Sequence, residues 1–105
     1  MKTHSVEVHG KPWEIHFTSK LPKGEHGYCT RPDKENRRIA INSRLKTEAM
    51  VATIVHELVH AVSWRTSEEI VEEIGEVVAD VLLRPEILSR LKLYREEKDA
   101  QHDGR

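Results

Sequence analysis

The stretch that decides the fold of this chain is TEAMVATIVHELVHAV, residues 47–62. Its apolar side chains recur at spacings of three and four residues, at Val51, Ile54, Val55, Leu58 and Val62. That period is the one that places side chains on a single face of an α-helix. The pattern therefore predicts an amphipathic helix that begins at about Thr47 and ends near Trp64.

The same stretch contains the pattern H-E-x-x-H, at residues 56–60. Residues four apart lie one above the other on a helix, so His56 and His60 can point at one metal ion. Glu57 follows His56 by about 100° around the helix axis, so it can flank a metal without ligating it. In that position a carboxylate can accept a proton from a metal-bound water. The pattern predicts a metal site in which Glu57 is the catalytic base.

Composition and charge limit the classes of protein to which this chain can belong. The chain has 105 residues and a formal net charge of −1, which predicts one small domain over residues 1–105 and gives no reason to expect a nucleic acid or membrane partner. Cys29 is the only cysteine, so no intrachain disulfide can form. Residues 1–7 lack the apolar segment of a signal peptide, and the apolar run 49–62 is too short and too polar to cross a bilayer. We therefore expect a cytoplasmic protein.

The N-terminal part of the chain has the alternating pattern of β-strands. Apolar residues occupy every second position in two runs, at Val6, Val8, Trp13, Ile15 and Phe17. The runs flank residues 10–12, Gly-Lys-Pro, and a period of two around such a turn predicts a hairpin. Residues 38–42, RIAIN, also alternate, and we expect this strand to pair with a short strand around Tyr28.

Two further helices follow the first. Residues 66–69, TSEE, fit a T-x-x-E capping box, and the helix they open has apolar residues at Ile70, Val71, Ile74, Val77, Val78, Val81 and Leu82. Pro85 ends that helix or takes the first position of a third one, over residues 86–98. These elements predict an α+β fold in which a small antiparallel or mixed sheet of three to four strands packs on an active-site helix, a glutamate helix and a C-terminal helix.

Two histidines do not complete a catalytic zinc site, because such sites use three protein ligands and leave one position to water. The candidates for the third ligand are Glu72, Glu73, Glu76 and Asp80 on the second helix, His26 in a loop, and Cys29. Glu72, Glu76 and Asp80 stand four apart and share one stripe, so one of them can ligate while its neighbour supports a histidine. Glu76 as the ligand and Asp80 as the partner of His56 or His60 fits both roles. Gly75, beside Glu76, indicates that the two helices approach closely.

The combination of residues 56–60, HELVH, with residues 76–80, EVVAD, resembles the gluzincin pattern, in which a glutamate on the next helix completes the H-E-x-x-H site. Residues 76–85 also resemble a stretch of the small ImmA/IrrE-type metallopeptidases, and the length is similar to that of the minigluzincins. The resemblance implies zinc on His56, His60 and Glu76, with Asp80 in support. It also implies that the strand at residues 38–42 borders the cleft and pairs with extended peptide. A metzincin is excluded, because no third histidine follows at the required spacing.

The predicted function is zinc-dependent hydrolysis of peptide bonds, with a peptide or protein as the substrate. Candidate donors to the oxyanion are His26, Tyr28, Arg65 and Tyr94. Alternatives are a latent enzyme or a silent zinc-binding interaction domain of the same fold, and Cys29 as a fourth zinc ligand is one route to latency. Cys29 is otherwise expected to be a small buried residue, and the aromatic residues Trp13, Phe17 and Trp64 are expected in the core.

Overall fold

A four-stranded mixed sheet and three helices form the fold of the computed structural model, which describes residues 2–103 apart from the side chains of Lys2, Tyr94 and residues 98–103. The strands are β1 (Lys2–Val8), β2 (Lys11–Thr18), β3 (Gly27–Cys29) and β4 (Arg38–Asn42), and the helices are α1 (Thr47–Val62), α2 (Glu68–Leu82) and α3 (Pro85–Asp103). The predicted α+β class is confirmed. Within the described residues, none of the helices combines the length and the hydropathy that a bilayer span requires.

The strands lie in the order β1-β2-β4-β3. β1 and β2 form the predicted antiparallel hairpin. His9 and Gly10 form its turn, and their positive φ angles, 53° and 74°, are those that a two-residue hairpin turn requires. β4 pairs with β3, as predicted, and the two strands are antiparallel; β4 also pairs with β2 in parallel. The sequence did not indicate the parallel pairing.

This order places β3, not β4, at the edge of the sheet. Both edges of β4 are already hydrogen-bonded, to β2 and to β3. The prediction that β4 pairs with extended peptide is therefore wrong, because it has no free backbone groups to offer. β3 has a free edge and lies against α1.

The core lies between the sheet and α1. Ile39 and Ile41 of β4 are fully buried, and Trp13 and Ile15 of β2 are buried beside them. Ile54 and Leu58 of α1, among other partly buried side chains, pack against this cluster. Burial of each large aliphatic side chain stabilises the fold by about 1.5–3 kcal/mol, so the sheet fixes the orientation of α1 and of the motif that it carries.

The two helices α1 and α2 pack antiparallel and very closely. A Cβ atom added to Gly75 would lie 2.7 Å from the carbonyl oxygen of Ala52, so no larger residue fits there without a shift. This confirms the close approach expected at Gly75. The contacting face of α2 is formed by Val71, Gly75 and Ala79, which are buried, while Ile70 and Val77 on the predicted apolar face are exposed.

The ends of the helices differ in detail from the prediction. Ser67 caps α2, and its hydroxyl accepts a hydrogen bond from the backbone N–H of Ile70 at 3.4 Å. The prediction of Thr66 as the capping residue is wrong, since Thr66 instead donates to the Ser63 hydroxyl at 2.8 Å. Pro85 is the first residue of α3, the position for which proline is suited, and that helix extends five residues beyond the predicted end, to Asp103.

Candidate metal centre

Two imidazoles of α1 and one carboxylate of α2 converge on a single point. The Nε2 atom of His60 lies 2.6 Å from one carboxylate oxygen of Glu68, and the Nε2 atom of His56 lies 3.5 Å from the other. His56, His60 and Glu68 are the group of ligand-type side chains that the described residues bring within 4.8 Å of one another. The predicted convergence of His56 and His60 is therefore present, with Glu68 as the third member.

The helical hairpin explains why Glu68 takes this place. Residues 63–67 connect α1 to α2, and so short a connection places the first turn of α2 beside the last turn of α1. His60 is therefore opposite Glu68, in the same antiparallel register that places Ala52 opposite Gly75. Sequence reasoning missed Glu68, which was not among its candidates for the third ligand. The short connection was the signal that would have identified it.

Glu76 is not among the ligand-type side chains that converge within 4.8 Å of one another. It lies eight residues beyond Glu68 on α2 and next to Gly75, where an added Cβ atom would lie 3.7 Å from Cβ of His56. Glu76 instead lines a cavity beside His56 and Glu57, together with Glu72. The structure thus brings Glu68, rather than the predicted Glu76, to the two imidazoles.

Asp80 pairs with an arginine and is not among the side chains that converge on the imidazoles. Its carboxylate accepts a hydrogen bond from the Arg84 guanidinium at 3.0 Å, one helical turn away. This ion pair raises the pKa of Arg84. The predicted support of a histidine by Asp80 is not seen, because its carboxylate pairs with Arg84, just beyond the end of α2. The Nδ1 atom of His60 is buried and has no hydrogen-bond partner in the described part of the chain.

Glu57 has the position expected of a base beside a metal. It is 7% exposed and lines the cavities on both sides of the histidines. Its carboxylate makes no hydrogen bond or ion pair with the described residues. Burial, and to a lesser extent the negative charge of Glu68, raises the pKa of Glu57 to about 7. The carboxylate is thus free to exchange a proton near neutral pH.

The edge strand β3 closely approaches Glu57. A Cβ atom added to Gly27 would lie 3.1 Å from Oε2 of Glu57 and 2.7 Å from Cγ2 of Thr53. Only a glycine at this position lets the strand approach α1 so closely. The approach leaves a cavity of about 610 Å³ on the His56 side and one of about 520 Å³ on the His60 side. His56 and Glu57 line both cavities, whereas His60 and Glu68 line only the second.

The predicted oxyanion donors separate into two groups. His26 lines the cavity on the His56 side, and Tyr28 lines the one on the His60 side. Arg65 does not line either cavity, and the side chain of Tyr94 lies outside the described residues. Trp64, expected in the core, is instead 40% exposed, and its ring lies 5.6 Å from that of His60. Trp13 is in the core, as expected.

Cys29 is buried, as expected, and lines the cavity on the His60 side. Its thiol donates a hydrogen bond to the carbonyl oxygen of Thr30 at 3.2 Å. Burial and then the charge of Glu57 raise the pKa of the Cys29 thiol to about 12. Cys29 is not among the side chains that converge with the two imidazoles.

The donor set fits a metal ion. Two imidazole nitrogens and one carboxylate oxygen, all within 4.8 Å of one another, form a His-His-Glu set of the type that binds metals in hydrolytic enzymes. The short distance between His60 and Glu68 must open somewhat, because ligands of one tetrahedral ion lie about 3.4 Å apart. No family model, curated protein or solved structure matches this chain.

Proposed function

We propose that this chain is a zinc-dependent peptidase in which His56, His60 and Glu68 hold the metal and Glu57 is the general base. One observation carries the proposal: the three ligand-type side chains converge beside a buried carboxylate that has no partner among the described residues. Zinc suits this set, because it accepts imidazole and carboxylate ligands in a tetrahedral site with one position left for water. The H-E-x-x-H part of the resemblance to gluzincins supports the same chemistry, whereas the glutamate of that pattern, Glu76, is not in the convergent group.

When bound, zinc supplies an acidified water and polarises the substrate carbonyl. Glu57 accepts the proton of the attacking water at its carboxylate and passes it to the nitrogen of the leaving amine. Such a base works best when its pKa lies near the working pH, and burial moves the pKa of Glu57 toward that range. A metal-binding domain without turnover has no use for a buried carboxylate at this position.

The free edge of β3 provides a place for the substrate backbone. Backbone hydrogen bonds link His26 to Asn42 and Thr30 to Arg38. Because antiparallel ladders alternate, the N–H and C=O groups of Gly27 and Cys29 face away from β4. An extended peptide that adds to this edge runs past Glu57, which Gly27 closely approaches. His26 and Tyr28 flank that path as donors to the oxyanion, and loss of such a donor lowers kcat about 10²–10³-fold.

An unbiased peptide-library digest tests the proposal. Zinc-loaded wild-type protein is compared with zinc-loaded Glu57→Gln, which keeps the shape of the side chain but cannot accept the proton. We expect cleavage by the wild type and a loss of about 10²–10⁴-fold in the variant. Equal cleavage by both proteins removes Glu57 from the base role. Zinc binding without cleavage by the wild type favours the silent or latent interaction domain.

A further inference from the structure

The cavity on the His56 side is acidic at its rim. Glu25, from the loop before β3, and Glu72 and Glu76, from two successive turns of α2, line it. The lining residues that can carry a positive charge are two histidines, His26 and His56, since no Lys or Arg lies among the described residues of its wall. The loop and the helix therefore place negatively charged carboxylates on two sides of the cavity.

The floor of this cavity differs from its rim. Ala49 and Ala52 of α1 contribute apolar surface. Thr53 and Glu57, one helical turn apart, are the polar residues of the floor, and each is 7% exposed. Neither side chain makes a hydrogen bond with the described residues. Both side chains line the cavity, where a polar ligand can reach their oxygen atoms.

Apolar walls below a carboxylate rim match one type of side chain. Lysine and arginine combine a long apolar stem with a cationic head. The cavity volume of about 610 Å³ lies within the range of about 300–1,000 Å³ that is usual for ligand sites. An acidic side chain would meet three like charges there, and an apolar side chain would leave the rim carboxylates with nothing to bind.

We propose that this cavity binds a lysine or arginine side chain of the substrate, next to the bond that is cleaved. The inference rests on the proposed peptidase function, because the cavity shares His56 and Glu57 with the candidate metal centre. The stem packs on Ala49 and Ala52, and the head lies between Glu72, Glu76 and Glu25. Glu72 and Glu76 are thus specificity-determining residues and not metal ligands.

A binding measurement tests the cavity separately from turnover. Zinc-loaded Glu57→Gln is titrated with two fluorescent peptides of otherwise identical sequence, one with a single lysine and one with norleucine in its place. We expect the lysine peptide to bind at least about tenfold more tightly at low salt, with the difference reduced at 0.5 M NaCl because exposed charges are screened. Equal affinities, or no measurable binding of either peptide, overturn the inference.

The chain offers a matched control on the same helix. Glu73 has the same charge as Glu72 but lines a separate apolar cavity with Ile70, Ile74, Val77 and Val78. In the Glu57→Gln background, Glu72→Gln should weaken the lysine preference, and Glu73→Gln, which removes the same charge, should preserve it. Equal losses in both would mean that net charge alone attracts the peptide, and would overturn the site.

The peptide-library digest distinguishes the two levels of proposal. Cleavage without enrichment of lysine or arginine beside the broken bond overturns this inference and leaves the peptidase function standing. Enrichment that Glu72→Gln with Glu76→Gln removes confirms it. Absence of any cleavage by zinc-loaded wild type overturns the peptidase function, and with it the assignment of this cavity to a substrate side chain.

Discussion

The imidazole of His60 and the carboxylate of Glu68 meet across the connection between α1 and α2, with Nε2 of His60 2.6 Å from the nearer carboxylate oxygen. His60 belongs to the last turn of α1 and Glu68 is the first residue of α2. The pair therefore depends on how tightly the helical hairpin closes. The same closure brings Glu68 to His56, so the packing of two helices builds a donor set that neither helix holds alone.

The pH dependence of stability should reveal the buried carboxylate of Glu57. Its folded-state pKa of about 7 lies above the ordinary value of 4.5, so the folded chain holds the proton more tightly than the unfolded chain does. The stabilising effect is full below about pH 4.5 and is lost as pH rises through about 7. In metal-free protein, the free energy of unfolding of Glu57→Gln relative to that of wild type should therefore rise by about 1–3 kcal/mol as the pH increases from 4.5 to 8. Urea denaturation at several pH values measures this, and a difference that does not change with pH would contradict it.

Because α1 packs closely on α2, we expect Gly75→Ala to destabilise the protein, although a change from glycine to alanine usually stabilises a helix. Helix propensity alone favours alanine by about 1 kcal/mol. The added Cβ atom would lie 2.7 Å from the backbone oxygen of Ala52, so the helices must separate, at a cost of about 1–3 kcal/mol. We expect net destabilisation in chemical denaturation, together with weaker zinc binding because the hairpin opens. Glu73→Ala, on an exposed part of α2, is the control and should change stability little. If Gly75→Ala instead stabilised the protein, the contact between Gly75 and the backbone of Ala52 would be looser than described.

The thiol of Cys29 should be unreactive in the folded protein. Burial raises its pKa to about 12, and the thiolate is the reactive form. At pH 8 a disulfide reagent should modify native protein at least about a hundredfold more slowly than protein unfolded in urea, where the thiol pKa returns to about 8.5. Rapid modification of the native protein would instead favour a cysteine that is poised to ligate zinc and keep the enzyme latent.

Asp80 should not affect metal binding. Its carboxylate binds Arg84 on the exposed side of α2, and exposed ion pairs contribute little. We expect Asp80→Asn to change zinc affinity less than about twofold, whereas loss of a residue that orients a metal ligand costs about 10–100-fold. Competition with a zinc-binding dye measures the zinc affinities of wild type and of Asp80→Asn. A loss of about 10–100-fold in Asp80→Asn would instead support the role beside a histidine that the sequence predicted.

Sequence patterns predicted the elements of this fold better than their mutual arrangement. The period of α1 and the H-E-x-x-H spacing fixed the position of His56, Glu57 and His60, because helical geometry is local. The third member of the metal group was not predictable in the same way. Glu68 and Glu76 have the same chemistry, and the choice between them depends on the register of two packed helices. That register follows from the short connection 63–67 and from Gly75, neither of which is a motif.

The order of the strands was likewise harder to predict from the sequence than the strands themselves. Residues 38–42 alternate as a strand should, and their pairing with the segment at Tyr28 was correctly predicted. The parallel pairing of β4 with β2 depends on the crossover between them, which leaves no local pattern. The burial of Ile39, Ala40 and Ile41 in succession is the one signal in β4 that indicates an interior strand, since interior strands are apolar on both faces.

The central claim is that His56, His60 and Glu68 hold a zinc ion, and zinc titration of matched glutamate variants tests it most directly. Metal-free wild type should bind about one zinc per chain. Glu68→Gln should lose at least about a hundredfold in affinity, because one of three ligands is removed, while Glu76→Gln, eight residues away on the same helix, should stay within about threefold of wild type. A wild-type chain that binds no zinc contradicts the claim, and a large loss in Glu76→Gln with none in Glu68→Gln would transfer the third ligand to Glu76.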